Sequence, residues 1–263
     1  MTTLGPYDLN TIITGDAREL AKAIPDESVD LIYADFVYDD LDFAWVDDCV
    51  RILKNTGSFY AQTDYRSVAQ LKLYLDDRLI FTNWIVWCYK AFPTRKRYYQ
   101  RKHDDILFYT KSDDYSWNEP SQAPSKSSTD RFKTDKSGRI INPTATMKNS
   151  GYAYYVRDVT CRDWWDDIPV PSGFNKWDTG KKIHKWQKPY GLIERIISAS
   201  SNMNDVVYDP FVGSGTTAFV CKMLQRNYLA FEIDPATADM ARKRVAETQP
   251  PLPIVMPEQM ELI

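Results

Sequence analysis

Residues 206–217 read Val-Val-Tyr-Asp-Pro-Phe-Val-Gly-Ser-Gly-Thr-Thr. A short apolar run ends in an acid, Asp209. A turn containing Gly213 and Gly215 follows, and a helical pattern begins at Thr216. Glycines let a backbone approach a ligand closely, and the free N–H groups at a helix start favour polar or anionic groups. Phe211 and Thr216 flank the turn, and Asp209 is placed to hold an ammonium or another polar ligand group. Glu232 ends the next apolar run, 17 residues after Gly215. An acid at that position can accept hydrogen bonds from both hydroxyls of a ribose. The stretch has no Gly-Lys-Ser/Thr for a triphosphate, and Gly-Ser-Gly lacks the third glycine of the dinucleotide fingerprint. A strand–turn–helix with purely structural glycines is the alternative. The spaced acid, with Asp-Pro-Phe ahead and Thr-Thr behind, favours a ligand site.

A second group of residues suits a polyanion. Residues 90–102, KAFPTRKRYYQRK, interleave cations with aromatic rings. Arg95, Lys96, Arg97, Arg101 and Lys102 could neutralise phosphates, and the rings could stack on bases. The alternative is a solvated hairpin loop. Net charge is only −3, but residues 90–188 hold 20 of the 33 Lys and Arg against 12 of the 36 acids. That leaves a basic, aromatic middle third between two acidic ends. Four cysteines, at 49, 88, 161 and 221, form no CxxC pair. They and the two histidines, His103 and His184, lack metal-ligand spacing, so no metal is expected.

These residues need a scaffold. Thr11–Thr14, Val29–Ala34, Ser58–Gln62, Leu79–Tyr89, Asp105–Lys111, Val206–Tyr208 and Tyr228–Ile233 have strand patterns. Ala17–Ile24, Phe43–Leu53, Tyr65–Leu75, Tyr190–Ser198, Ala218–Leu224 and Ala236–Ala246 have helical spacing. This alternation predicts an α/β fold with a mostly parallel sheet covered by helices on both faces. Leu79–Tyr89 and Asp105–Lys111 have no helix between them and predict an antiparallel edge strand. Residues 119–180 break the pattern with Ser, Lys, Pro and Thr and read as an insert. Residues 249–263 read as a peripheral tail. No apolar run approaches the ~20 residues of a membrane span. The N-terminus resembles no signal peptide, so a cytoplasmic protein is expected.

The glycine segment resembles the S-adenosylmethionine motif of the DNA amino-methyltransferases. HKWQKP (184–189) resembles the HxxQKP segment that precedes it in that family. GDARELAKAIPDESVDLIYADFVYDD (15–40) resembles GD…LPDxSVDLIxxDPPY, and HDDILFYTKSDDYSWN (103–118) resembles HExILFYxKxxxYxFN. Catalytic motif, variable insert, then cofactor motif is the order of the β-class. The resemblance covers the chain apart from the insert and tail.

It implies a circularly permuted Rossmann-like methyltransferase sheet. Residues 1–118 would form its catalytic half, 119–180 a target-recognition insert and 181–248 its cofactor-binding half. Asp16, Lys188 and Pro189 would join the cofactor site, Asp16 beside the adenine; locally, Asp16 also reads as a helix N-cap. In the family's Asp-Pro-Pro-Tyr motif, the acid and the first proline's carbonyl hold the target amino group, and the tyrosine stacks on the flipped base. Here the motif is Asp35-Phe36-Val37-Tyr38. Acid and ring remain, but the prolines that fix the turn are missing, and Phe36 is bulkier at the pocket wall. The loop could keep its geometry by other packing, the pocket could suit an unusual base, or catalysis could be lost on a fold that still binds DNA. The leading Asp favours N6-adenine in double-stranded DNA over N4-cytosine. The resemblance also implies a prokaryotic or phage setting and allows a homodimer.

Overall fold

The computed structural model describes residues 2–36, 41–89, 97, 99–122, 159–170 and 187–248. The chain divides into two compact units, residues 1–118 with 163–263, and residues 119–162.

The first unit is built on an eight-stranded sheet. Its N-terminal part contributes β3 (Thr11–Thr14), β4 (Val29–Asp35), β5 (Leu53–Thr63), β6 (Ile80–Cys88) and β7 (His103–Thr110). Later residues add β10 (Trp164–Trp165), β11 (Val206–Asp209) and β12 (Asn227–Glu232). The order across the sheet is β10-β6-β7-β5-β4-β11-β12-β3. A two-residue hairpin, β1 (Thr3–Leu4) with β2 (Tyr7–Asp8), precedes it. Strands from opposite ends of the chain lie side by side and parallel: β11 pairs with β4, and β12 with β3. This is the permuted order that the sequence implies. The antiparallel strand, however, lies inside the sheet: β7 runs against β5 on one side and β6 on the other, and β10 extends the rim parallel to β6.

The central strands β4, β11 and β12 are mostly apolar and buried because both faces are covered. In β4, Ile32 and Ala34 face one core while Leu31 and Tyr33 face the other. The first core packs on α1 (Ala17–Leu20) with a following 3-10 turn (Ala21–Ala23), α2 (Trp45–Ile52) and α3 (Val68–Asp76). The second packs on α4 (Tyr190–Ser200), α5 (Thr216–Leu224) and α6 (Pro235–Glu247). In α2, Trp45, Val46, Cys49 and Ile52 are buried, the one-sided stripe of an amphipathic helix. Helix α6 starts where Asp234 accepts from the Thr237 N–H at 2.8 Å, with Pro235 in the first turn.

The second unit is narrower than the insert expected over 119–180, because Trp164–Trp165 joins the main sheet. Its described residues form a small antiparallel pair, β8 (Ser121–Gln122) with β9 (Val159–Thr160). The expected tail, 249–263, lies outside the described residues. Among the described residues, no helix is long and apolar enough to cross a membrane.

Candidate active site

Parallel strands deliver their carboxyl ends to one edge of a sheet, and ligands bind where neighbouring strands connect in opposite directions. Here that point lies between β4 and β11. Asp35 ends β4 and Asp209 ends β11, Glu232 ends β12, and Thr14 of β3 lies opposite Glu232.

The glycine turn is built around Glu232. Its Oε2 accepts from the Gly213 N–H and its Oε1 from the Asp234 N–H, at 2.9 and 3.0 Å. A carboxylate has about four acceptor positions, so capacity remains for two ribose hydroxyls. Gly213 has φ +50°, and among the described residues a side chain there would meet only the Phe211 carbonyl, at 3.9 Å. Its glycine is therefore demanded by conformation rather than by crowding from those residues. Gly215, at φ +78°, caps α5 against Ala241; an added Cβ would lie 3.0 Å from that side chain. Arg244 braces the turn from behind, donating to the Ser214 carbonyl and the Thr216 hydroxyl at 3.1 and 3.0 Å. The Thr216 hydroxyl donates to the Lys188 carbonyl at 3.4 Å, which ties the segment before α4 to the turn. Pro189 is the N-cap residue of α4.

Asp16 caps α1, accepting from the Arg18 N–H at 2.9 Å. The Gly15 N–H donates to the Glu232 carbonyl, so Asp16 also sits beside Glu232. Asp209 differs from its expected role. It is 2% exposed and accepts from the Phe211 N–H at 2.9 Å and from Thr217, so it holds the turn from inside. Burial pushes its carboxyl up to about 7, with Thr217 and the Phe211 N–H pulling down and Asp35 and Glu232 pushing further up.

The Phe36 ring is covered. It is 5% exposed, its ring 5.5 Å from that of Trp45 and 6.0 Å from that of Phe43. Trp45 in turn meets Phe211 edge-on at 5.1 Å. The residue in the first proline's place is thus anchored in an aromatic cluster shared with the glycine turn. Tyr38 lies outside the described residues, as do Arg95, Lys96 and His184.

The loop joining β6 to β7 leaves the sheet at the same edge as Asp35. Within it Arg97 is exposed, and the Arg101 guanidinium lies 3.8 Å over the ring of Tyr65, itself exposed. Lys102 is half-buried, its carbonyl accepting from the Tyr89 N–H at 2.9 Å.

Four further residues belong to the site. Trp45 and Arg244 are two. Asp104 and Gln62 are the others: Gln62 Nε2 donates to Asp104 Oδ2 at 2.9 Å, and Asp104 also lies 3.8 Å from Lys188 Nζ. Asp104 is the first of the two acids of HDDILFY, so its signal was present in the sequence. Gln62 has no local signal; only its register opposite Asp35 puts it there.

Similarity to known proteins agrees with this geometry. Residues 6–243 match the family model described as DNA methylase, and the chain belongs to that family. It is 30% identical to the type II methyltransferase M.HpaI of Haemophilus parainfluenzae, over 89% of this chain and 73% of the relative. It is also 30% identical to the DNA adenine methyltransferase YhdJ of Escherichia coli (strain K12), over 90% of this chain and 83% of that one. The crystal structure of an M1.HpyAVI–SAM complex has the same fold, with a TM-score of 0.61 at 24% identity, covering 89% of this chain and 98% of that one. The protein is thus a β-class DNA methyltransferase, and its cofactor is S-adenosylmethionine.

Proposed function

We propose that the protein methylates the N6 amino group of an adenine flipped out of double-stranded DNA, with N4 of cytosine as the second substrate to test. An exocyclic amino group is a weak nucleophile because its lone pair is delocalised into the ring. Asp35 and the Phe36 carbonyl each accept one of its N–H bonds and localise the pair. S-adenosylmethionine supplies a methyl group on a sulfonium, whose bonding pair stays with sulfur when the new N–C bond forms. The surplus amino proton passes to a carboxylate oxygen of Asp35. Alignment within a water-poor site contributes the rest.

Glu232, Asp16 and the turn at Gly213–Gly215 hold the cofactor, with Phe211 and Thr216 shaping the turn and Pro189 starting the helix beside it. Tyr38 stacks on the flipped base. Arg95, Lys96, Arg97, Arg101 and Lys102 neutralise phosphates, and the unit spanning 119–162 reads the target sequence. The observation that carries the reading is the buried ring of Phe36 beside Asp35. It supplies by packing the rigidity that prolines would supply covalently, which favours an active loop over a relaxed one. Adenine is favoured by Asp at the head of the motif and by the similarity to an adenine methyltransferase.

The test is nucleoside mass spectrometry of unmethylated, PCR-amplified genomic DNA after incubation with isotope-labelled cofactor. Labelled N6-methyladenine is expected. Labelled N4-methylcytosine alone would reassign the base, and no labelled nucleoside would overturn the activity.

A further inference from the structure

Asp35 does not stand alone at the end of β4. Lys188 Nζ is 2.9 Å from its Oδ2 and 3.8 Å from Oδ2 of Asp104 at the start of β7. The three side chains are only 20%, 14% and 12% exposed, in the order Asp35, Lys188, Asp104. Asp104 is held in turn by Gln62 Nε2 at 2.9 Å and by the Tyr89 hydroxyl at 3.1 Å. The Tyr33 hydroxyl donates to Gln62 Oε1, so the chain of contacts returns to β4 beneath Asp35. Four strand ends and the segment before α4 thus converge on one covered ammonium.

We propose that Lys188 and Asp104 are positioning residues for Asp35: the ammonium keeps the carboxylate ionised and aimed at the target amino group, and Asp104 keeps that ammonium balanced once Asp35 has taken up a proton. The inference rests on amino-group methylation as proposed above, and it moves Lys188 from the cofactor to the acceptor side of the site.

Asp104 at the start of β7, Asp209 at the end of β11 and Glu232 at the end of β12 are acids gathered at the same sheet edge. Tyr33 on β4 and Tyr89 after β6 add hydroxyls, and Lys188 faces Asp35 from the segment before α4. A protonated carboxyl could not accept two-sidedly from an amino group, so the acceptor role needs a carboxylate at a sheet edge where other acids gather. Lys188 Nζ, 2.9 Å away, supplies the matching positive charge. Burial holds the Asp104 carboxyl above the usual range, while Lys188 and Gln62 pull it down.

One ammonium between two carboxylates carries a net charge of −1. When an amino proton passes to Asp35 the group becomes neutral, and Lys188 still has Asp104 as its counter-charge. With Asp35 as its sole partner, the same proton transfer would leave a covered ammonium unpaired, which is strongly unfavourable. Two acids for one lysine is the composition a proton-accepting site requires.

The test is a carbon NMR titration of the cofactor-free protein labelled with 13C in its aspartate carboxyls, with Asp35→Asn assigning the resonance. In Lys188→Met, the proton affinity of Asp35 rises about tenfold or more, whereas in Asp104→Asn it falls; Lys188→Arg stays close to wild type. Calorimetry with S-adenosylmethionine gives nearly wild-type affinity for Lys188→Met, and the acid limb of the pH–rate profile for DNA methylation moves to higher pH. An Asp35 titration unaltered in both Lys188→Met and Asp104→Asn overturns the proposal. So does a Lys188→Met protein with greatly weakened cofactor binding and a wild-type Asp35 titration. If Lys188→Met does not fold, Asp104→Asn decides: a lowered proton affinity supports the proposal and an unchanged one overturns it. The titration needs no turnover, so a wild type that transfers no methyl group would overturn the activity while leaving this result readable.

Discussion

Replacing Phe36 with alanine separates the two ways in which an Asp-Phe-Val-Tyr loop could work. The ring is almost fully buried and makes aromatic contacts with Phe43 and Trp45. Truncating such a phenylalanine costs about 3–5 kcal/mol, of which aromatic pairing accounts for roughly 0.5–1.5 kcal/mol per ring pair. For a chain of this size each kcal/mol lowers Tm by about 2–4 °C, so a fall on the order of 10 °C is expected. The second effect is on chemistry. Without its anchor the Phe36 carbonyl shifts, and a misplacement of about 1 Å at a reacting group costs roughly 100-fold in rate. Cofactor affinity should change little, because Glu232 and Gly213 bond to each other independently of the ring. Calorimetric melts, isothermal titration with S-adenosylmethionine and single-turnover methylation on folded protein give the three numbers. Phe36→Leu, which keeps most of the volume, should fall between. The double change Phe36→Pro with Val37→Pro removes the same buried ring, so it should also lose stability and turnover, despite rebuilding the family motif. A Tm unchanged in Phe36→Ala would show that the ring does not anchor the loop. A destabilised Phe36→Ala protein that turned over at the wild-type rate when folded would show that the ring does not aim the carbonyl.

Glu232→Ala should weaken S-adenosylmethionine binding by about 1.5–3 kcal/mol, the range for hydrogen bonds to a charged group, and leave the Gly213 N–H without its acceptor; calorimetry at wild-type affinity would remove Glu232 from the site. Neutralising Arg97 and Arg101 together should lower DNA affinity and flatten the slope of log affinity against log salt by about one for each phosphate no longer neutralised, measured by fluorescence anisotropy. Asp209, with its carboxyl pushed up to about 7, binds its proton more tightly folded than unfolded. Its contribution is therefore favourable below about pH 4 and declines as pH rises toward 7, by an amount on the order of a few kcal/mol. Urea melts of the cofactor-free protein should show that decline, and Asp209→Asn should remove most of it; equal slopes for the two proteins would place the proton elsewhere.

The elements that carry the site were legible because local signals and tertiary demands agree there. Val206–Asp209 is an apolar run stopped by an acid, and a parallel sheet covered on both faces needs such a strand. Glu232 was legible by spacing alone, since one turn, one helix and one strand separate it from Gly215. What was not legible depends on partners distant in the chain. Nothing in Trp164–Trp165 announces a strand; it becomes one by extending the rim beside Val86 and Trp87. Nothing near Asp105–Lys111 says that the antiparallel strand lies inside the sheet, because that placement follows from β6 lying beyond β7, not from β7 itself. Asp209 looked like a ligand residue because acids at strand ends so often are. In the fold it is buried, and its carboxyl is bonded within the turn by the Phe211 N–H and Thr217.

Phe36 is the sharpest case. Read locally, phenylalanine in place of proline means lost rigidity and a crowded pocket. In the fold the ring is buried against Trp45, and Trp45 meets Phe211 from the glycine turn. Phe36 after β4 and Phe211 of the glycine turn, far apart in sequence, therefore share one aromatic cluster on the α2 side of the sheet. Such a cluster is close-packed, so a displacement of either loop is resisted by the same rings. The end of β4 and the glycine turn are registered against each other by packing, in a chain whose Asp-Phe-Val-Tyr segment lacks the prolines that would fix the loop on its own.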